Sequence, residues 1–311
     1  MRTPRQRPLL GVTLVLCAGG CFSLLDNSVK LLGATLPVLL IVWARYGIQA
    51  IVMLVWLALR RGRVGFKTSR PRFQLLRGSL LLGTSALSAF GVQLMPVAEF
   101  TAIGMLTPVV VTVLAAWWLR EAVSPLRWVL VVGAFLGALI VIRPGSGVFG
   151  WAAGMPLAMA LTYGCFQVLT SRFVSLENPF TTHFYTGAVG AVALTPVLWL
   201  AHLQVWALLS QASGQQLMLI VLIGAMGTLG HMLLILALGM ARTGALMPFT
   251  YVQIVLAALV GWLMFKHVPD AWAWTGMAVI AACGASSVWL NFHEASARRI
   301  SSTVEQDTIA G

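Results

Sequence analysis

Charge is what this chain has least of. Charged residues make up 9% of its 311 positions, and only 8 of them are acids. A soluble domain carries roughly a quarter charged residues, so a water-soluble globule is excluded and most side chains must face lipid or one another. Cysteine is scarce too. Cys17, Cys21, Cys165 and Cys283 all fall inside apolar runs, with no metal-ligand spacing and no outer-loop position suited to a disulfide. HExxH, GxSxG, P-loop and dinucleotide signatures are missing, which leaves no basis for direct use of ATP, a cofactor or a metal. The apolar runs do not alternate at period 2, so a membrane β-barrel is excluded.

What is present is hydrophobicity, at 59% of residues with a mean hydropathy of +0.91. Runs of roughly 20 apolar residues are long enough to cross a bilayer. The first begins at Leu9 and, lacking a small-x-small cleavage pattern, reads as an uncleaved helix through Asp26 into Lys30. Nine more follow at about 37–59, 74–94, 98–119, 125–142, 149–171, 180–203, 215–239, 243–265 and 270–292. The fold expected is an all-α integral membrane protein of ten transmembrane helices. A basic tail (1–8) precedes the first five-helix unit (9–142), a second unit follows (149–292), and a polar tail (293–311) reads as disordered. With the N-terminus cytoplasmic, sixteen of the Lys and Arg residues fall on the inner side. Only Arg143 and Lys266 fall outside, and Lys30 and Arg45 lie within spans. Both termini are therefore expected in the cytoplasm. The net charge of +12 is then a topology signal on the anionic inner leaflet, the partner is the lipid bilayer, and no nucleic acid is called for.

The chain is built twice. VAEFTAIGMLTPVVVTVLAAWWLREAVSPLRW (97–128) returns in degenerate form as MARTGALMPFTYVQIVLAALVGWLMFKHVPDAW (240–272), where Ala98 matches Ala241, Ala102 matches Ala245 and Thr107 matches Thr250. More weakly, GCF at 20–22 recurs at 164–166, Lys30 is echoed by Arg172, and Pro37 by Pro179. Five spans separate the copies. An odd number turns equivalent helices over, so the halves form an inverted repeat, a physical basis for alternating access. These blocks resemble the drug/metabolite transporter superfamily, specifically its EamA-domain members, over about residues 9–292. The resemblance implies a ten-helix solute carrier of the bacterial inner (plasma) membrane, often an exporter of amino acids or other small metabolites. Members usually carry a glutamate near the ends of the fourth and ninth helices. Glu121 fits the first, whereas Lys266 stands at the second.

Ionisable groups inside spans are the first candidates for function, since each costs roughly 2.5 to 3.5 kcal/mol at mid-helix. Arg45 lies about 12 Å along its helix beyond Pro37. Asp26 and Lys30 share one face of the first helix, and Glu99 opens the fourth. Together they form either a structural ion-pair network or an outer gate, with Arg45 facing a substrate carboxylate or phosphate. A second set near mid-depth comes from both halves: Gln49, Thr107, Tyr163, Gln167, His231, Tyr251 and Gln253. With Arg45 these are the candidate substrate-binding residues, Gln253 being equally an interhelical hydrogen-bonding group and His231 a packing residue or proton shuttle. Gly133 and Gly137 permit close helix contact, internal or between two copies, so monomer and homodimer both stay open. Pro108 and Pro248 are expected to kink the fourth and ninth helices, and tryptophans near span ends read as a lipid-interface belt. The favoured function is secondary transport of a small polar metabolite such as an amino acid, by an exporter or exchanger. A non-transporting structural or regulatory subunit is the alternative, and an intramembrane enzyme lacks a nucleophile–base constellation.

Overall fold

The structure, a computed structural model, describes residues 8–118, 125–143, 146, 148–173, 177–240, 249–286 and 289–290. It shows an all-α membrane protein, with no strand among the described residues. The helices in chain order are α1 (Pro8–Gly33), α2 (Val38–Arg61), α3 (Pro71–Leu94), α4 (Val97–Gly104), α5 (Thr107–Trp118), α6 (Pro125–Ile142), α7 (Gly154–Phe173), α8 (Pro179–Leu200), α9 (Val205–Ser210), α10 (Gly214–Met240), α11 (Val252–Phe265) and α12 (Ala271–Ser286). Six are long and apolar enough to span a bilayer: α1, α2, α3, α7, α8 and α10. The α4–α5 stretch, α6, α11 and α12 supply shorter apolar helices.

Proline sets where several of them begin. Pro71 and Pro179 sit in the first turn of α3 and α8, where the missing N–H has no helical partner to lose. Asn178 completes the start of α8 by accepting the Phe180 N–H at 3.0 Å. Proline also divides what the sequence presents as one fourth span. Pro108 has no N–H for the Gly104 carbonyl, and the chain turns at Met105–Leu106 between α4 and α5. The Thr107 hydroxyl donates to that carbonyl at 2.8 Å. Pro248, Glu121 and residues 293–311 lie outside the described residues, and with them the expected second kink, the family glutamate and the expected C-terminal tail. The expected 180–203 span ends at Leu200, and a short α9 follows the turn.

Packing is ordered by pairs of helices from the two halves. α1 lies along α10 and α11, while α3 lies along α7 and α8. α2 packs on α8 and α10, α4 on α11 and α7, and α5 on α7. The α6 glycines face inward: a Cβ built on Gly276 of α12 would lie 2.6 Å from the Gly137 carbonyl oxygen, and one on Gly133 would lie 2.7 Å from Cys283 Sγ. The GxxxG stripe therefore seats α12 instead of a second copy of the chain. Trp151, Trp199, Trp206 and Trp272 are exposed near helix ends, as an interfacial belt requires. Trp56 instead stacks on Phe180, with ring centroids 4.0 Å apart.

Candidate functional site

Where the two halves meet there is a cavity of about 150 Å³. α1, α3 and the α4–α5 turn form one side, with Arg45 reaching in from α2. α7, α10 and the start of α11 form the other. The break at Pro108 shapes the wall, since it places Gly104, Met105, Thr107 and Pro108 against the space. Thr107 and Thr250, equivalent positions of the repeated block, both line it.

The walls are chiefly apolar and aromatic. Phe22 meets His231 edge-on with ring centroids 4.9 Å apart, and Tyr163 stacks on Phe166 at 5.6 Å. Phe100, Met105 and Met159 complete this lining. Two charged groups interrupt it. Arg45, only 7% exposed, donates from Nη2 to Ser85 Oγ at 3.0 Å and lies over the Tyr46 ring at 4.6 Å. Its Nε is buried without a partner. Asp26 accepts from Ser88 Oγ at 3.0 Å. Among the described residues no ion pair within 4 Å joins the two.

Of the candidates read from the sequence, Arg45, Thr107, Tyr163, Gln167, His231, Gln253 and Asp26 line this cavity, and four do not. Gln49 is fully buried and donates from Nε2 to the His183 carbonyl at 3.0 Å, tying α2 to α8. Tyr251 packs its ring against Gly284 of α12, and its buried hydroxyl has no partner. Lys30 donates from Nζ to the Met95 carbonyl at 3.0 Å and the Val92 carbonyl at 2.6 Å. These are orphan acceptors at the end of α3, a natural site for a cation. Glu99 meets His267 Nε2 at 3.0 Å and leaves Oε2 without a partner. The four ionisable groups thus form no single network; α3 takes Asp26, Lys30 and Arg45 separately because its hydroxyls and terminal carbonyls are nearer than any opposite charge. Ser85 and Ser88, which hold the two charges, were missed. Their signal was two hydroxyls three residues apart in GTSALSAF, on one helix face.

Both ends of the bundle are bridged. Beside Glu99 and His267, Arg143 Nη2 pairs with Asp270 Oδ2 at 2.8 Å. Asp270 also caps α12 by accepting the Ala273 N–H at 2.8 Å. That N–H first, then Arg143, holds its carboxyl below the ordinary carboxylate range. At the end carrying the basic loops, Glu177 Oε1 accepts from Thr68 Oγ1, Ser69 N and Ser69 Oγ at 2.9 to 3.0 Å. Lys266 occupies the left-handed position closing α11 (φ 58°), where a cation suits the helix C-terminus. Among the described residues no three of His, Cys, Asp and Glu gather closely enough to hold a metal ion.

The EamA-like transporter family model matches residues 9–143. A riboflavin transporter of Rhizobium johnstonii is 30% identical over 278 residues, covering 88% of this chain and 89% of its own. This chain belongs to the EamA-like transporter family of the drug/metabolite transporter superfamily. Other relatives include an S-adenosylmethionine uptake transporter of Rickettsia felis, 27% identical over 82% of this chain and 84% of its own. A pseudopaline exporter of Pseudomonas aeruginosa is 26% identical over 89% and 95%. A solved crystal structure, 19% identical, superposes with a TM-score of 0.64 over 91% of this chain and 96% of that one, which supports the fold alone.

Proposed function

We propose that this EamA-like protein is a secondary carrier for a small polar metabolite with a flat heterocyclic body, working by alternating access across the bacterial inner membrane with both termini cytoplasmic. The observation that carries the reading is one cavity lined by side chains from both halves of the chain, with polar groups such as Arg45, Asp26, Gln167 and Gln253 set among aliphatic residues and the rings of Phe22, Phe100, Tyr163 and His231. A non-transporting subunit has no need of a buried Arg45 and a part-buried Asp26 at such a surface.

Several features support a ten-helix inverted repeat. Six long and four shorter apolar helical segments follow the order of the sequence. If α1, α2, α3, α4–α5 and α6 are exchanged with α7, α8, α10, α11 and α12, the helix pairs map onto one another. The α1–α10 contact becomes α7–α3, α1–α11 becomes α7 with α4 and α5, and α2–α10 becomes α8–α3. The α2–α8 and α4–α11 contacts map onto themselves. The distribution of cations supports the orientation.

The relatives' names include riboflavin and S-adenosylmethionine, both bearing flat nitrogen heterocycles, which suits aromatic walls better than a bare amino acid does. The names also include uptake and export. We therefore assign a reversible carrier, exporting or exchanging its solute as the gradients dictate. Reconstitution into liposomes with riboflavin, S-adenosylmethionine and an amino acid mixture offered in turn tests this. Saturable flux of a heterocyclic solute, abolished in Arg45→Ala and Gln253→Leu at wild-type insertion, is the expected result. Absence of flux for every solute would remove the carrier reading.

A further inference from the structure

Opposite charges that share a low-dielectric cavity gain by pairing, yet Asp26 and Arg45 do not pair. Each is held by a separate hydroxyl of α3. Ser88 holds Asp26 and Ser85 holds Arg45, one turn apart on the same face. Ser85 is itself held by the Tyr46 hydroxyl at 2.8 Å, which also bonds to the Leu81 carbonyl at 3.0 Å. The Tyr46 ring supports the guanidinium plane, and Gly227 of α10 lets the arginine stem pass, since a Cβ there would lie 3.3 Å from Arg45 Cδ. Between the charges is a second void of about 20 Å³, bounded by both of them and both serines and with room for about one water. Arg45 Nε remains a buried donor with no acceptor among the described residues. Nor does the repeat demand the pair. In the GCF register Asp26 corresponds to Thr170, and in the Pro37/Pro179 register Arg45 corresponds to Gly187.

We propose, building on the carrier reading, that Asp26 and Arg45 are the specificity pair of this cavity. Ser88 and Ser85 keep them apart so that they receive a neutral heteroaromatic ligand through an edge carrying a ring carbonyl beside a ring N–H. Arg45 donates to the carbonyl and Asp26 accepts the N–H, while the ring lies among Phe22, His231 and Tyr163. A simple anion would gain Arg45 but meet Asp26, and a simple cation the reverse. The two charges cancel, so the site favours a ligand with no net charge and both hydrogen-bonding senses. A site built around a buried donor and a part-buried acceptor disfavours an analogue that cannot satisfy both.

The test is a binding titration of the purified full-length protein with riboflavin and with 3-methylriboflavin, which keeps both ring carbonyls and loses the N–H between them. Wild type is expected to bind riboflavin at least about tenfold more tightly. Asp26→Ala should weaken riboflavin and bring the two ligands within about twofold, while Arg45→Gln should weaken both together. Ser88→Ala, which leaves both charges in place, should narrow the ratio and so keeps the idea testable where Asp26→Ala does not fold. Equal binding of the two ligands by wild type overturns the specificity pair, as does a ratio unchanged in Asp26→Ala or Ser88→Ala, or binding of neither compound. Liposome flux of another solute in those cases would leave the carrier standing, so the two failures are distinguishable.

Discussion

Tyr251 shows how a single side chain is claimed by packing before function can use it. On a helix of lipid-crossing composition its hydroxyl is a candidate ligand, but the ring fills the space over Gly284 and the hydroxyl is buried without a partner. An unpaired buried hydroxyl costs about 1 to 3 kcal/mol. Tyr251→Phe is therefore expected to leave solute flux at the wild-type level and to raise thermal stability or leave it unchanged; loss of flux would return Tyr251 to the site. Lys30 follows the same logic with the opposite sign. Its ammonium satisfies two carbonyls at the end of α3. Its charge is there for the helix terminus, and neither residue needs a solute to account for it.

Helices in this protein are placed by what they lack. The missing N–H of Pro108 separates α4 from α5, and the Thr107 hydroxyl takes up the carbonyl that the proline leaves. The missing side chains of Gly137 and Gly276 bring the backbones of α6 and α12 together. Without water between helices, such close approach is a principal source of their attraction. Gly276→Leu should lower the melting temperature of the detergent-solubilised protein by several degrees at unchanged oligomeric state, read by heated size-exclusion chromatography. A melting temperature equal to wild type with a changed oligomer would make this stripe a subunit interface instead.

For the whole molecule, the question is what holds the halves together while the cavity forms between them. At one end Glu177 gathers three donors from residues 68 and 69, and at the other Arg143 meets Asp270. The Asp270 carboxyl titrates below its ordinary range, so the folded state favours the ionised form. Its contribution is then fully present above the ordinary carboxylate value near 3.8 and is lost as pH falls through the lower folded value. The pair is half in water and is expected to add about 1 kcal/mol or less. Comparing the thermal unfolding of wild type and Asp270→Asn should give a constant gap from pH 5 to 8 that closes below about pH 4. A gap that instead widens in acid would reverse the assigned sign.

The class of this protein was legible in the sequence because the membrane imposes it residue by residue. With 9% charge and apolar runs near 20 residues, no tertiary knowledge is needed to read an all-α membrane protein. The family was legible as well, since its repeated blocks survive as residue identities. Depth along a helix is legible because the rise per residue is fixed, and seven of the eleven candidate residues line the cavity. Rotation about the helix axis was not legible, and it separated cavity residues from packing residues at equal depth. Gln49 turns to His183 and Tyr251 to Gly284, while Arg45 and Gln253 turn inward. Partner choice was hidden for the same reason. Asp26 and Lys30 are four residues apart and suggest a pair, yet α3 presents a serine to one and carbonyls to the other. Composition and period determine that a helix lies in the membrane, but only its neighbours decide which of its faces a solute can meet.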